Sequence, residues 1–280
     1  MKMEARDLAF GYPGHPVGRD VSMSLSAGEV VCLLGPNGSG KTTLFKTLLG
    51  LLPAQGGSVH VDGTDLANLS AREIGRRVSY VPQAHESYFP FTVLDVVLMG
   101  RTAHGGLFST PSADDRERAG HALGQVAISH LADATYTRIS GGERQLALVA
   151  RALAQDARIM ILDEPTASLD FGNQVRVLER ILALADQGMG ILVSTHNPDH
   201  ALACADRVVL LHRGRVVEDG QPEVVITRES LMKLYGVDVD VAQFESTPEP
   251  RTLCVPRFAR RPRHAGLGPD SGAESDAVLP

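Results

Sequence analysis

At 280 residues, 43% of them hydrophobic, the chain is long enough to bury a large core and is composed as a globular protein of one or two domains. Its net charge of −6 argues against a dedicated nucleic-acid surface. No apolar run approaches the roughly 18 residues of a membrane-spanning helix, and residues 1–7 carry no apolar region of signal type, so a cytoplasmic protein is expected.

To about residue 27, strand-like runs flank a turn at Gly11-Tyr12-Pro13-Gly14, and Val21-Ser22-Met23-Ser24-Leu25 alternates with the period of a half-buried strand. Tyr12 is a turn tyrosine whose ring can stack on a base. Val30-Val31-Cys32-Leu33-Leu34 reads as a buried strand, and Thr43-Leu44-Phe45-Lys46-Thr47-Leu48-Leu49 as a helix ending at Gly50. Between them, Gly35-Pro36-Asn37-Gly38-Ser39-Gly40-Lys41-Thr42 fills every fixed position of G-x-x-x-x-G-K-[ST], the phosphate-binding loop. Glycines let the backbone wrap an anion, and the new helix adds unpaired N–H groups and its positive dipole end. Lys41 is placed for the β and γ phosphates and the Thr42 hydroxyl for Mg²⁺, so the chain binds a nucleoside triphosphate.

Gly56-Gly57-Ser58-Val59-His60-Val61-Asp62-Gly63 is a short strand closed by Asp-Gly, and Ser70-Ala71-Arg72-Glu73 is a capping-box start. Val78-Ser79-Tyr80-Val81 is a strand ending at Pro82-Gln83; Gln83 there is either a solvated loop residue or a group reaching metal or attacking water. Ser87-Tyr88-Phe89-Pro90-Phe91 clusters aromatics around a proline, and helices capped by Thr92 and Ser112 flank a loop at His104-Gly105-Gly106-Leu107-Phe108. This helical insertion suits a docking surface or packs on itself.

Ser140-Gly141-Gly142-Glu143-Arg144-Gln145 opens another helix, with Leu146, Val149, Ala150 and Leu153 at core spacing. Ser140 is an ordinary cap or, with the glycines, a second anion site, redundant unless it serves a nucleotide on another copy of the chain. Ile159-Met160-Ile161-Leu162 is an apolar strand ending in Asp163-Glu164. Two adjacent carboxylates there are costly without a cation, which assigns Asp163 to Mg²⁺ and Glu164 to activation of water. A helix from Phe171 to about Gln187 and the strand Ile191-Leu192-Val193-Ser194-Thr195, with His196 at its end, complete an alternation that means a mostly parallel sheet with ligands at the strand C-termini. His196 and His200 are four apart but lack a third metal ligand, and the scattered Cys32, Cys204 and Cys254 make neither disulfide nor zinc site. Strands at Arg207-Val208-Val209-Leu210-Leu211 and Arg215-Val216-Val217-Glu218 form a hairpin, and short helices at 222–225 and 230–234 close the fold. From residue 245 to 280 periodicity disappears, and a disordered, solvated tail is expected, though its arginines, among them Arg251 and Arg257, can touch anionic lipid.

This constellation resembles the ATP-binding-cassette (ABC) ATPases over residues 1–244, with the helical subdomain at about 84–157. Phosphate loop, Val81-Pro82-Gln83, Ser140-Gly141-Gly142-Glu143-Arg144-Gln145, Asp163-Glu164-Pro165, Ser168-Leu169-Asp170 and Ser194-Thr195-His196 follow the family's order, with Ile139 where the family usually has leucine. The resemblance implies an α/β P-loop core with an antiparallel β subdomain and an α-helical signature subdomain. It implies that Tyr12 stacks on adenine and that Gly35, Pro36, Asn37, Gly38, Ser39, Gly40, Lys41, Thr42 and Thr43 hold the phosphates. Thr42, Gln83 and Asp163 would hold Mg²⁺, with Glu164, His196, Lys41 and Gln83 catalytic. Ser140, Gly141, Gly142, Gln145 and Asp170 would act on ATP across a homodimer. Residues 90–101 and 169–174 resemble the importer class for iron-siderophore, haem, cobalamin or molybdate. That implies two transmembrane permease subunits docking around 84–101, a substrate-binding protein beyond them, no nucleic acid, and a peripheral place on the cytoplasmic face of the membrane. An exporter subunit would share every catalytic motif. A soluble ABC protein acting on DNA or ribosomes would show a coiled-coil insertion or two cassettes and a basic surface, and neither is visible in the sequence.

Overall fold

The computed structural model describes residues 1–83, 89–104, 110–244 and 251–258. β1 (Lys2–Tyr12) and β2 (His15–Ser26) pair antiparallel, and β3 (Val30–Leu34) runs through the glycine-rich loop into α1 (Lys41–Leu48). β4 (Gly56–Val61) and β5 (Thr64–Asp65) complete an antiparallel sheet of order β2-β1-β4-β5. α2 (Ala71–Gly75) and β6 (Val78–Val81) precede α3 (Val93–Leu98), α4 (Ala113–Gln125) and α5 (Gly141–Ala154), which pack on one another. Then come β7 (Ile159–Leu162), α6 (Phe171–Asp186), β8 (Gly190–Thr195), α7 (Pro198–Cys204), β9 (Arg207–His212) and β10 (Arg215–Gly220). α8 (Pro222–Val225), α9 (Arg228–Tyr235), β11 (Val239–Phe244) and β12 (Arg251–Pro256) end the described chain.

The central sheet has the order β10-β9-β3-β8-β7-β6 and is parallel except for β10. β3 and β7 are apolar at every position, and β8 and β9 through Ile191–Val193 and Val208–Leu211, because both faces of the sheet are covered. On β3, Val30, Cys32 and Leu34 join the core shared with α3–α7, while Val31 and Leu33 join the core shared with α1 and the antiparallel sheet. Four helices start on the serine or threonine that the sequence predicts as their cap: Ser70, Thr92, Ser112 and Ser140 each close a capping box with an acid three residues on. The register levels the strand ends, with Val81 beside Leu162, Leu162 beside Val193 and Leu34 beside Thr195. Gly35, Gln83, Asp163-Glu164 and His196 therefore emerge along one edge, where parallel sheets bind ligands.

The unstructured tail expected from residue 245 needs correction. Arg251–Pro256 pairs along its whole length with Val239–Phe244, and Cys254 packs against the core. The sequence offers no clear signal there because β12 belongs to a two-stranded sheet with β11, just before it in the chain, and buries little of its own surface. Residues 259–280 and the tail arginines Arg260, Arg261 and Arg263 lie outside the described residues, as do 84–88, with Tyr88, and 105–109. Among the described residues no helix is long and apolar enough to cross a membrane.

Candidate functional site

The loop after β3 is shaped by its glycines. Gly40 caps α1 with φ +104, and a Cβ there would lie 2.9 Å from Val17 Cγ1. No side chain caps this helix, so its first N–H groups face the loop without an internal partner. Ser39 is buried with its Oγ unpartnered, an orphan acceptor and donor beside those N–H groups. A cavity of about 460 Å³ sits over the loop, lined by Asn37, Gly38, Gly40, Lys41, Thr42, Thr43, Gln83 and Glu164. A second of about 290 Å³ adjoins it and reaches Ser168, Thr195, His196 and His200. Pro36 is half-buried at the loop's start.

Lys41 is 5% exposed and its ammonium donates to Gly35 O at 2.8 Å and Pro36 O at 3.2 Å. It also pairs with Glu164 Oε1 at 3.1 Å. Glu164 Oε2 lies 3.3 Å from His196 Nδ1, so one carboxylate joins the phosphate loop to the end of β8. Glu164 holds φ at 47°, a left-handed conformation that a non-glycine residue adopts at a cost and that aims its side chain across the sheet edge. Asp163 is 2% exposed and accepts a 2.7 Å bond from Ser194 Oγ, while Ser194 Oγ also receives the Glu164 N–H at 2.9 Å. Burial, and then the Asp163 charge, push the Tyr80 phenol well above its ordinary range, keeping it a donor at 3.5 Å from Asp163 Oδ2.

Mg²⁺ fits these donors. The Thr42 hydroxyl is exposed and makes no side-chain hydrogen bond among the described residues, Gln83 faces both cavities, and Asp163 retains lone pairs beyond its two partners. A hydroxyl, an amide and a carboxylate are the oxygen donors that a hard dication takes.

The remaining predicted residues stand apart. Tyr12 is 40% exposed beside α1, with Lys46 Nζ 5.8 Å from its ring centroid. Ser140 is an exposed N-cap that takes the Glu143 N–H at 3.3 Å, the ordinary role left open by the sequence. Gly141 follows it, and Gly142 is buried against α6, where a Cβ would lie 2.5 Å from Asn173 Oδ1. Gln145 is 2% exposed, and its Nε2 is buried without a partner among the described residues. It sits at the fifth position of α5, turned in with Leu146 rather than out with Ser140. Asp170 is the exposed N-cap of α6, accepting from Asn173 N at 2.8 Å. Neither cavity takes a lining residue from 140–145.

Sequence reasoning missed Ser194 as the hydroxyl that orients both acids, because in an apolar strand it reads as a terminal polar residue. It also missed that His200 Nδ1 lies 3.2 Å from Thr166 Oγ1. Burial, with a further push from His196, holds His200 below its ordinary range against the pull of Asp199.

A family model described as ABC transporter matches residues 19–167. An uncharacterized ABC transporter ATP-binding protein of Haemophilus influenzae is 45% identical over 235 residues, covering 84% of this chain and 89% of that protein. A hemin import ATP-binding protein of Rhodococcus jostii is 38% identical over 260 residues, covering 92% of this chain and 87% of the relative. Among solved structures, one described as an inward-facing conformation of a metal-chelate type ABC transporter superposes with a TM-score of 0.82 at 32% identity, over 92% of this chain and 98% of that one. The glycine loop, the paired acids and these likenesses agree: the chain belongs to the ABC transporter family, as an ATP-binding subunit of the kind that hydrolyses ATP to power transport.

Proposed function

We propose that this chain drives import of a metal chelate or related nutrient (iron-siderophore, haem, cobalamin or molybdate) as a head-to-tail homodimer on the cytoplasmic face of the membrane. The observation that carries the dimer is the split site: the cavity over the phosphate loop is lined by Val17, the loop, the first turn of α1, Gln83 and Glu164, while Ser140, Gly141 and Gly142 present a helix N-terminus elsewhere on the same chain. Two copies in antiparallel array bring each signature helix to the other's phosphates. Import is supported by the relatives' own descriptions as hemin import and metal-chelate type transporters.

In this reading Tyr12 stacks on adenine, the loop N–H groups and Lys41 hold the phosphates, and Glu164 accepts the proton of the attacking water. His196 holds the Glu164 carboxylate from the far side and faces the γ phosphate. Thr42, Gln83 and Asp163 would hold Mg²⁺, which when bound neutralises charge on the β and γ oxygens. Lys41 leaves Glu164 for the phosphates as ATP binds, freeing the base. Ser140 and Gly142 of the second copy close on the γ phosphate, and Asp170 lies along that contact. Two permease subunits dock around 84–101, where Phe89 and Phe91 are exposed with ring centroids 5.9 Å apart; a binding protein delivers solute from the other side. Residues 1–244 act as the cassette, with 84–157 as the lobe that reports closure.

The test is reconstitution of the chain, in sealed vesicles, with the membrane subunits that co-purify with it. Hydrolysis stimulated by the loaded binding protein, with chelate accumulating on the side opposite that protein, is expected. Solute leaving in the opposite direction, or no association with any permease, would contradict the import reading.

A further inference from the structure

The turn that carries His196 is gripped from outside by the C-terminal end of the described chain. His196 lies between β8 and α7, its side chain half-exposed, and the turn's own bonds are few: Asn197 N–H to Thr195 Oγ1 at 3.0 Å and Asp199 N–H to Asn197 Oδ1 at 2.9 Å. Two further bonds come from distant segments. The Tyr235 hydroxyl, at the end of α9, donates to the His196 carbonyl at 3.1 Å. The Cys254 N–H, on β12, donates to Asp199 Oδ1 at 2.8 Å. Both donors act on the residues flanking the imidazole, and neither touches the cavity over the phosphate loop.

The gripping segment is itself fixed. Arg228 binds the Asp238 carboxylate through two bonds, at 2.7 and 2.8 Å, joining α9 to the start of β11. Arg257 ties the far strand back, its Nε to Asp240 Oδ2 at 2.6 Å and its N–H to Asp238 O at 2.9 Å. Val239 is buried in the core beneath them, and Cys254 pairs in register with Val241. Burial holds the Tyr235 phenol far above its ordinary range, so its hydroxyl remains a donor at any physiological pH.

We propose that Tyr235 and the β11–β12 hairpin are a positioning clamp, which fixes the His196 peptide and α7 so that the imidazole stays against Glu164. The inference rests on the proposed role of His196 in hydrolysis, and it gives a function to the segment that composition alone marks as tail. It makes Tyr235, Asp199 and the hairpin positioning residues rather than catalytic ones.

The experiment uses the full chain, with ATP turnover and the His196 ring Cε1–H resonance, assigned by its loss in His196→Ala, as paired readouts. Tyr235→Phe keeps the ring packing and removes one donor, and Asp199→Ala removes one acceptor. Each is expected to lower kcat by about 3- to 10-fold, the worth of one hydrogen bond, with KM for ATP changed by less than about twofold. Asp199→Asn, which retains an Oδ1 acceptor, should recover towards the unsubstituted rate. On a His196→Ala background, Tyr235→Phe should cost nothing more, and in the single variants the His196 resonance should shift. An unmoved resonance in both Tyr235→Phe and Asp199→Ala, or the same loss of kcat with and without His196, overturns the clamp. Wild-type turnover in His196→Ala would instead overturn the role given to His196, and the resonance would still decide the clamp.

Discussion

Replacing Glu164 by glutamine separates two things its carboxylate does. It pairs with Lys41 at 3.1 Å in a site where the two side chains are 5% and 13% exposed, and it stands where water would attack. Charge-assisted hydrogen bonds are worth about 1.5–3 kcal/mol, roughly twice their neutral counterparts. A glutamine carbonyl therefore keeps about half of that interaction and gives up about 0.8–1.5 kcal/mol. Lys41 then leaves for the phosphates more easily, so ATP should bind about 4- to 13-fold more tightly. Removing the base should at the same time slow hydrolysis by about 10²- to 10⁴-fold. Phosphate release under saturating ATP and equilibrium nucleotide titration read the two effects separately, and sizing with ATP should show a persistent dimer. Turnover within about tenfold of the unsubstituted chain, or weaker ATP binding, would refute both the assignment of the base and the competition for Lys41.

Gly142→Ala pushes a methyl to 2.5 Å from Asn173 Oδ1 and 2.8 Å from Asn173 Cβ, so it should cost about 1–3 kcal/mol, with partial recovery when Asn173→Gly is added; denaturant midpoints equal to wild type would discount the close approach of α5 and α6. Arg101, and then Ser112, hold the Asp115 carboxyl down at about 2. An acid depressed in the folded state stabilises above its unfolded value near 3.9 and loses that contribution as pH falls towards 2. Thermal melts of Asp115→Asn should therefore converge with wild type between about pH 4 and pH 2, and parallel acid limbs would exclude the pair as a source of the slope. Tyr12→Ala should weaken ATP by about 5- to 160-fold, since stacking on a base is worth about 1–3 kcal/mol, while Tyr12→Trp retains it; an unchanged Kd would remove Tyr12 from the adenine site.

The phosphate loop and the paired acids were legible because each is contiguous and each follows an apolar run that can only be a buried strand. Period-two alternation and capping boxes placed the other elements, since both signals sit within a few residues of one another. What the sequence hid is long-range. Ser194 orients Asp163 only because β8 lies beside β7, and nothing local to Ser-Thr-His marks that hydroxyl as a double partner. Glu164 meets Lys41 only after the sheet has levelled the strand ends. β12 reads as tail because Arg251-Thr252-Leu253-Cys254-Val255-Pro256 carries just three apolar side chains, and its tie to the body of the fold, Cys254 N–H to Asp199 Oδ1, joins residues 55 apart. Gln145 was placed with Ser140 by motif, whereas helical rotation turns it inward.

The central claim is that each phosphate loop is half a site, completed by Ser140 of another copy. Ser140→Arg should bar the signature helix from the partner's γ phosphate yet leave its own loop able to bind ATP, and Lys41→Ala should spoil the loop yet leave its own signature helix intact. Each variant alone should be inactive. Mixed with separate tags so that heterodimers can be isolated, the two should regain hydrolysis from the one composite site that each heterodimer contains. Folded, tagged heterodimers with no recovered turnover would contradict the account.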